Sequence, residues 1–212
     1  VDDCITGAPP RNCAQDSGAV YIYMREQTGP GVWGTGDFAA YVKAPNAGRL
    51  DYFGHSISLN SDGGTLAIGA YMEESDGKDS NGVVRTVSVL PLPNDNNTAS
   101  QVGAVYIYER DLAVPGQWGN GDFGAYIKAP NAGSGDSFGY SVKLSPDGLT
   151  LAVGADAESS VGSATGLGAN PVDDCLGGSP TNCALGSGAA YIFQKNLLVS
   201  DQWGTGEFSV YI

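Results

Sequence analysis

A repeat of 85 residues is the feature that most constrains what this chain can fold into. Gly18, Gly103 and Gly188 open the matching segments GAVYIY, GAVYIY and GAAYIF at this offset. Landmarks that keep one offset along a chain indicate tandem supersecondary units, each packing mainly against its neighbours. The 212 residues hold about two and a half copies. The other landmarks in register are Trp33, Trp118 and Trp203, and the segments 53–70 and 138–155.

Segment 138–155, FGYSVKLSPDGLTLAVGA, predicts a β-hairpin. Apolar residues alternate with small or polar ones, which is typical of half-buried strands. Pro146-Asp147-Gly148 has turn chemistry, so we interpret Asp147 and its counterpart Asp62 as turn formers. In the second strand Ala152 and Gly154 share a face on which another backbone can approach closely. The predicted buried row of the first strand is Phe138, Tyr140, Val142 and Leu144, with His55 as the counterpart of Tyr140 in the first copy.

The same pattern predicts ten strands and no helix of useful length, hence an all-β fold. Four antiparallel strands in each tandem unit are the plan of a β-propeller blade. A closed propeller needs at least four blades, so this chain alone is incomplete as one, and other chains or a longer chain would have to complete it. The predicted strands are 18–23, 38–43, 53–59, 65–70, 103–108, 123–128, 138–144, 150–155, 188–193 and 208–212.

The repeat also divides the chain into four segments. Residues 1–17 are the tail of a preceding repeat with a cysteine loop, and residues 18–102 form the first full repeat. Residues 103–187 form the second, with its own cysteine loop, and residues 188–212 begin a third.

Charge narrows the possible partners. The chain has 10 basic and 23 acidic residues, a formal net charge of −13. Nucleic-acid grooves and anionic membrane surfaces both select clustered Lys and Arg, so neither partner is expected. No apolar run approaches the ~18 residues of a membrane span, so membrane insertion is not expected either. Val1 is not an initiator methionine and no signal peptide follows it, which predicts a processed, cloned or truncated start.

Four cysteines, which can pair in three ways, lie in two copies of one loop. The loops are VDDCITGAPPRNCAQDSGA and VDDCLGGSPTNCALGSGA, whereas the intervening copy, about 84–102, has neither cysteine. Because both are absent together, we expect two local disulfides, Cys4–Cys13 and Cys175–Cys183. Zinc is the alternative, disfavoured by the wide spacing and the absence of a nearby histidine. Disulfides predict an extracellular or cell-surface location.

Acidic loop residues are candidate calcium ligands, because carboxylates and loop carbonyls are the hard oxygen donors that calcium prefers. Glu73 and Glu158 occupy equivalent positions just after the two hairpins, and Asp51 and Asp136 precede each Phe-Gly. A solvated acidic surface is the alternative interpretation. The candidate metal-binding set is Glu73, Asp76, Asp156, Glu158, Asp173 and Asp174.

No catalytic residue is expected. The single histidine, His55, becomes Tyr140 in the next copy, and no cysteine–histidine or serine–histidine pair supplies a base for nucleophilic catalysis. The periodic tryptophans have two interpretations. Trp33, Trp118 and Trp203 are either packed anchors between strands or a contact surface for a glycan or a neighbouring subunit.

The combination of Phe138-Gly139, LAVGA at 151–155 and GAAYIF at 188–193 resembles the FG-GAP repeat. The first copy matches through Phe53-Gly54 and its own following segments, so the resemblance covers nearly the whole chain apart from two long loops. It implies the propeller blades found in integrin α-subunits and secreted bacterial proteins. Integrin blades often carry a calcium loop between the hairpin strands; here the turn is only Asn60-Ser61-Asp62-Gly63, which argues against that particular site.

We therefore expect a non-enzymatic extracellular protein with a structural or adhesive role. Its sheets would be completed by copies of itself through open strand edges in a multi-chain or filamentous assembly, with calcium as a candidate cofactor. The alternative is a fragment of a larger propeller that binds a protein or glycan ligand.

Overall fold

The structure, a computed structural model, describes residues 14–24, 38–75, 87–88, 99–110, 123–160, 185–196 and 202–211. These residues are all-β, and every strand pairing among them is antiparallel. The ten predicted strands are present, three of them with the predicted ends and the others with shifted ends, and residues 87–88 form one further short strand. The strands are β1 Val20–Tyr23, β2 Phe38–Val42, β3 Ser56–Leu59, β4 Thr65–Ala70, β5 Val87–Ser88, β6 Ala104–Glu109, β7 Phe123–Ile127, β8 Phe138–Leu144, β9 Thr150–Ala155, β10 Ala189–Asn196 and β11 Gln202–Tyr211.

The strands form three sheets that cross the sequence repeats. Strands β1 and β2 make a two-stranded sheet, here called the N-terminal pair. Sheet 1 has the order β3-β4-β6-β7-β5, and sheet 2 has the order β8-β9-β10-β11. Each larger sheet therefore joins one predicted hairpin, β3–β4 or β8–β9, to the first two strands of the following sequence repeat.

Sheet 1 lies between the other two sheets, and alternate residues of its strands serve two cores. Ala67, Val105 and Ile107 pack with sheet 2 residues, while Ile68 and Tyr106 pack with the N-terminal pair. All five are fully buried. The apolar runs TLAIGA in β4 and AVYIY in β6 are typical of strands that are buried on both faces.

Glycine allows the backbones of the two larger sheets to meet, as predicted from the small-residue face. A Cβ atom built on Gly69 in β4 would lie 2.0 Å from the carbonyl oxygen of Gly139 in β8. At Gly103 a Cβ would lie 2.0 Å from the carbonyl oxygen of Phe138, and its φ of +82° is the left-handed region that favours glycine. Close sheet packing therefore depends on the absence of side chains here.

The predicted buried row of the first hairpin strand is wrong at two positions. Tyr140 is 43% exposed and His55 is also exposed. The cause in β8 is a shift of register: Phe138 pairs with Ala155, but Ser141 already pairs with Gly154, so extra residues bulge out of the ladder. The bulge removes Tyr140 from the row in which Phe138, Val142 and Leu144 remain buried.

Strand β3 also presents an unexpected face to the core. Ser58 is buried, whereas Ile57 and Leu59 are 55% and 52% exposed. Their repeat counterparts in β8, Val142 and Leu144, are buried because β3 and β4 pack over β8. In the described residues no strand lies over Ile57 and Leu59 in the same way.

The C-terminal strand is longer than predicted. Strand β11 begins at Gln202 and so includes Trp203, whose side chain is buried in the core shared with sheet 1. None of the described segments forms a helix that could cross a membrane. All four cysteines, and with them both predicted disulfides, lie outside the described residues.

Candidate functional site

A group of polar side chains, all buried except the partly buried Asn46, lies where the N-terminal pair meets sheet 1. We call Asn46, Glu73, Ser75, Tyr126 and Lys128 the junction cluster. Asn46 lies in the turn after β2, Glu73 lies in the turn after β4, and Lys128 directly follows β7. The side chains of Lys128 and Glu73 are 0% and 1% exposed. Charged side chains are buried this completely only when they are paired.

The Glu73 carboxylate is the centre of this cluster. Its Oε2 atom accepts hydrogen bonds from the Lys128 ammonium and, at 3.0 Å, from the Tyr126 hydroxyl. Its Oε1 atom accepts from Asn46 Nδ2 at 3.0 Å and from Ser75 Oγ at 2.6 Å. Lys128 Nζ also donates to the main-chain oxygen of Gly103 at 2.9 Å.

Tyr106 extends the cluster on the side of Asn46. Its hydroxyl donates to Asn46 Oδ1 at 2.7 Å. Burial, followed by the nearby Glu73 carboxylate, raises the pKa of Tyr106 well above its ordinary value. The phenol therefore remains protonated and can serve as a permanent donor to the carboxamide oxygen.

A second copy of most of this arrangement lies where sheet 1 meets sheet 2, with Asn131 in the turn after β7 and Tyr191 on β10. Glu158 Oε1 accepts from Asn131 Nδ2 at 2.9 Å and from Ser160 Oγ at 2.5 Å. The Tyr191 hydroxyl donates to Asn131 Oδ1 at 2.8 Å. The repeat position that corresponds to Lys128 is one residue beyond Ile212.

These contacts bear on the candidate calcium ligands. The lysine ammonium already provides a cation beside Glu73, and Glu158 is 1% exposed within its own hydrogen-bonded group. Asp51 and Asp136 cap turns, since they accept from the amides of Gly48 and Gly133 at 2.5 and 2.7 Å. Among the described residues, no three or more His, Cys, Asp and Glu side chains are grouped so that they could hold a metal. Asp156 is exposed, and Asp76, Asp173 and Asp174 lie outside the described residues.

The interpretation of Asp62 and Asp147 as turn formers is confirmed. Asp62 Oδ1 accepts from the amide of Gly64 at 2.7 Å, and Asp147 Oδ1 accepts from the amide of Leu149 at 3.0 Å. Hydrogen bonds from the Ser145 hydroxyl and the Leu149 amide lower the pKa of Asp147.

An aromatic group that the sequence did not single out lies on the surface near the start of β3 and β8. The His55 ring centroid is 4.5 Å from that of Tyr71 and 5.0 Å from that of Tyr140. Tyr52 stacks on Tyr71 at 5.7 Å and has a φ of +55°, which is unusual for a bulky residue. Burial, then Tyr52, Tyr140 and Asp156, raise the pKa of Tyr71. The repeat counterparts of Tyr52 and Tyr71 are Ser137 and Asp156, so the repeating fold does not require these rings.

A second exposed aromatic surface covers the outer side of the N-terminal pair; we call Tyr21, Tyr23 and Tyr41 the outer tyrosine face. These side chains are 59%, 58% and 53% exposed. Their repeat counterparts in sheet 1, Tyr106, Tyr108 and Tyr126, are 0%, 8% and 1% exposed because the N-terminal pair packs over them. Tyr21 and Tyr41 also contact each other edge to face, with ring centroids 5.2 Å apart.

Of the three periodic tryptophans, one lies among the residues that the structure describes. Trp203 is 4% exposed, which agrees with the packed interpretation, and Trp33 and Trp118 lie outside the described residues. Comparisons with protein-family models, with curated proteins and with solved structures gave no match.

Proposed function

We propose that this chain is a non-enzymatic, extracellular structural or adhesive protein of the FG-GAP type, whose β-propeller-like blades stack into a multi-chain or filamentous assembly. The observation that carries the proposal is the contrast between the outer tyrosine face and its buried counterparts in sheet 1. Three rings that are more than half exposed occupy the positions at which sheet 1 receives a neighbouring layer. Exposed apolar area of this kind marks interaction surfaces.

The occupant that fits this face is a second copy of the same chain. Inside the chain, the aromatic side of one sheet packs on the small and β-branched side of the sheet before it, as Phe138 and Tyr191 do on Val105. Sheet 2 leaves its own small-residue side, Ala190 and Ile192, only half-buried. The two ends of the stack thus carry the two complementary halves of one interface. Head-to-tail contacts that do not close into a ring produce filaments.

Multi-angle light scattering after size-exclusion chromatography tests the assembly. We expect masses above that of one chain that grow with concentration. Tyr21→Lys with Tyr41→Lys places two charges on the outer tyrosine face and should give monomers. Tyr140→Lys changes an exposed tyrosine elsewhere on the surface and should assemble as the unsubstituted chain does. A concentration-independent monomer before substitution would refute the proposal.

Calcium and disulfides are supporting parts of the same proposal. Asp76, Asp156, Asp173 and Asp174 are the acids left for a calcium site, because Glu73 and Glu158 already have partners in the structure. The cysteine pairs Cys4–Cys13 and Cys175–Cys183 would stabilise the two long loops in an oxidising environment.

A ligand-binding role is the second candidate, and the surface aromatic group favours it. His55, Tyr52, Tyr71 and Tyr140 present flat rings with polar tips, which suit the apolar face and hydroxyls of a sugar ring or a side chain of a protein ligand. Because Tyr52 and Tyr71 are not repeated in sheet 2, they can be replaced without disturbing the blade plan. A glycan array should show binding that Tyr71→Ser abolishes. The control variant Tyr41→Ser should retain it. If no glycan binds, glycan binding is refuted and a protein remains as the ligand of this second candidate function.

A further inference from the structure

We propose that Lys128 and Asn46 become joined by an intramolecular isopeptide bond, with Glu73 as the group that moves the protons. Two observations lead to this: a fully buried lysine shares one carboxylate with an asparagine carboxamide, and a buried phenol donates to that carboxamide. The inference concerns the interior of one chain and does not depend on how copies assemble.

Glu73 contacts both groups of the proposed reaction. One of its oxygens accepts from the Lys128 amine and the other accepts from Asn46 Nδ2 at 3.0 Å. A base that contacts both the nucleophile and the leaving nitrogen can take a proton from the first and deliver it to the second. Lys128 and Glu73 are buried, so water is largely excluded from the nucleophile and the base, and Asn46 is partly buried.

Tyr106 makes the carboxamide a better electrophile. Its hydroxyl lies 2.7 Å from Asn46 Oδ1, and its raised pKa keeps the proton in place. A donor aimed at this oxygen stabilises the negative charge that develops on it during nucleophilic attack.

The reaction balances without an added oxidant, reductant or cofactor. Glu73 accepts a proton from the Lys128 ammonium, and the free amine attacks Asn46 Cγ to form the new C–N bond. Glu73 then passes that proton to the former amide nitrogen, the Cγ–Nδ2 bond breaks, and ammonia leaves. The Glu73 carboxylate finally takes the second proton of the attacking nitrogen and remains as the neutral acid. The product is one secondary amide between Lys128 and Asn46, and one ammonia is released for each bond.

Burial favours this product over the starting pair. An ion pair held away from water loses much of its hydration energy, and its mutual attraction only partly offsets that loss. The neutral amide and the protonated Glu73 together remove both buried charges, and Tyr126 and Ser75 remain hydrogen-bond partners of the Glu73 side chain. The bond would also link the N-terminal pair to sheet 1 covalently.

The second cluster provides a control residue. Asn131, Glu158 and Tyr191 reproduce the carboxamide, the carboxylate and the phenol, but the proposed reaction uses the carboxamide of Asn46.

Intact-mass spectrometry of the full chain after reduction of its cysteines tests the proposal. We expect a mass lower than the sequence mass by one ammonia, and a branched tryptic peptide that joins the segments around Asn46 and Lys128 in tandem spectra. A folded chain with the full sequence mass and a linear peptide at Lys128 overturns the proposal, whatever the variants do.

Variants then separate the roles of the residues. Glu73→Gln keeps the size of the side chain and should restore the full mass, as should Lys128→Met. Asn131→Ala should leave the cross-link in place. Circular dichroism confirms that each variant retains β-structure. If folded Glu73→Gln still loses ammonia, Glu73 is not the proton carrier and the proposed mechanism fails.

Discussion

The hydroxyl of Ser58 accepts a hydrogen bond from the main-chain amide of Leu144 at 2.9 Å. Leu144 lies on β8, the edge strand of sheet 2, and Ser58 lies on β3 of sheet 1. A second contact of the same kind joins Val142 N to Ser56 Oγ at 3.0 Å. Serine side chains of one sheet thus satisfy amides that an edge strand would otherwise leave unpaired.

Replacement of Ser58 by alanine should destabilise the chain by about 1–3 kcal/mol, because a buried amide loses its acceptor. Lys143 occupies the corresponding repeat position on β8 and is exposed, so Lys143→Ala should change the free energy of unfolding by less than about 0.5 kcal/mol. Chemical denaturation of both variants measures the difference. Equal effects would show that the serine contact does not stabilise the sheet junction.

Replacement of Gly69 by alanine should also be costly, because the new methyl group would meet the carbonyl oxygen of Gly139 at 2.0 Å. Overpacking of this kind costs about 1–3 kcal/mol. At the counterpart Gly154 the nearest atom is the Ser141 hydroxyl, a side-chain group that can rotate away. The melting temperature of Gly69→Ala should therefore be lower than that of Gly154→Ala. The reverse order would contradict the close approach of β4 and β8.

The positions of the strands could be predicted from the sequence, since period-two alternation and turn residues are local signals. The buried face of the hairpins was harder to predict. The alternating spacing predicts that His55 and Tyr140 are buried, yet a register shift in β8 and the exposed start of the first hairpin place both on the surface. Such a shift depends on how neighbouring sheets meet, which strand periodicity does not encode.

The candidate site was only partly predictable for a similar reason. The repeat marks Glu73 and Glu158 as equivalent positions, and their carboxylates in loops predict calcium ligands. The partners that they contact instead are far away in the sequence, so local patterns do not reveal them. Lys128 is 55 residues from Glu73, and Tyr106 is 60 residues from Asn46. The available signal is Lys128, which directly follows an apolar strand. Its partner can be identified only when the order of the strands in the sheet is known.

Alkaline pH should destabilise the protein through its buried tyrosines. Burial raises the pKa of Tyr108, whose hydroxyl donates to the main-chain oxygen of Lys43 at 2.8 Å. The folded state therefore keeps a proton that the unfolded chain releases above about pH 10, so its stability is complete below that pH and falls as pH rises above it. Tyr108→Phe should flatten this fall, at a cost of about 1 kcal/mol at neutral pH for the lost hydrogen bond. Urea denaturation between neutral pH and pH 11 measures both effects; an unchanged pH dependence in the variant would contradict the assignment.

Calcium should raise the melting temperature if the remaining loop acids bind it. Millimolar calcium chloride is compared with magnesium chloride at equal ionic strength, which controls for general screening of the negative charge. Asp173→Asn with Asp174→Asn should remove the calcium-specific part of the shift. Identical melting temperatures in the two salts would contradict a calcium site in this chain.

The measurement that most directly tests the proposed stacking is hydrogen–deuterium exchange followed by mass spectrometry at low and high protein concentration. Strands β1 and β10, which carry Tyr21 and Ile192 of the two proposed contact faces, should exchange more slowly when the chain is concentrated, while β6, buried on both faces, should not change. Slower exchange confined to these two faces is the predicted result. Identical exchange of β1 and β10 at every concentration would contradict the stacking of one chain on another.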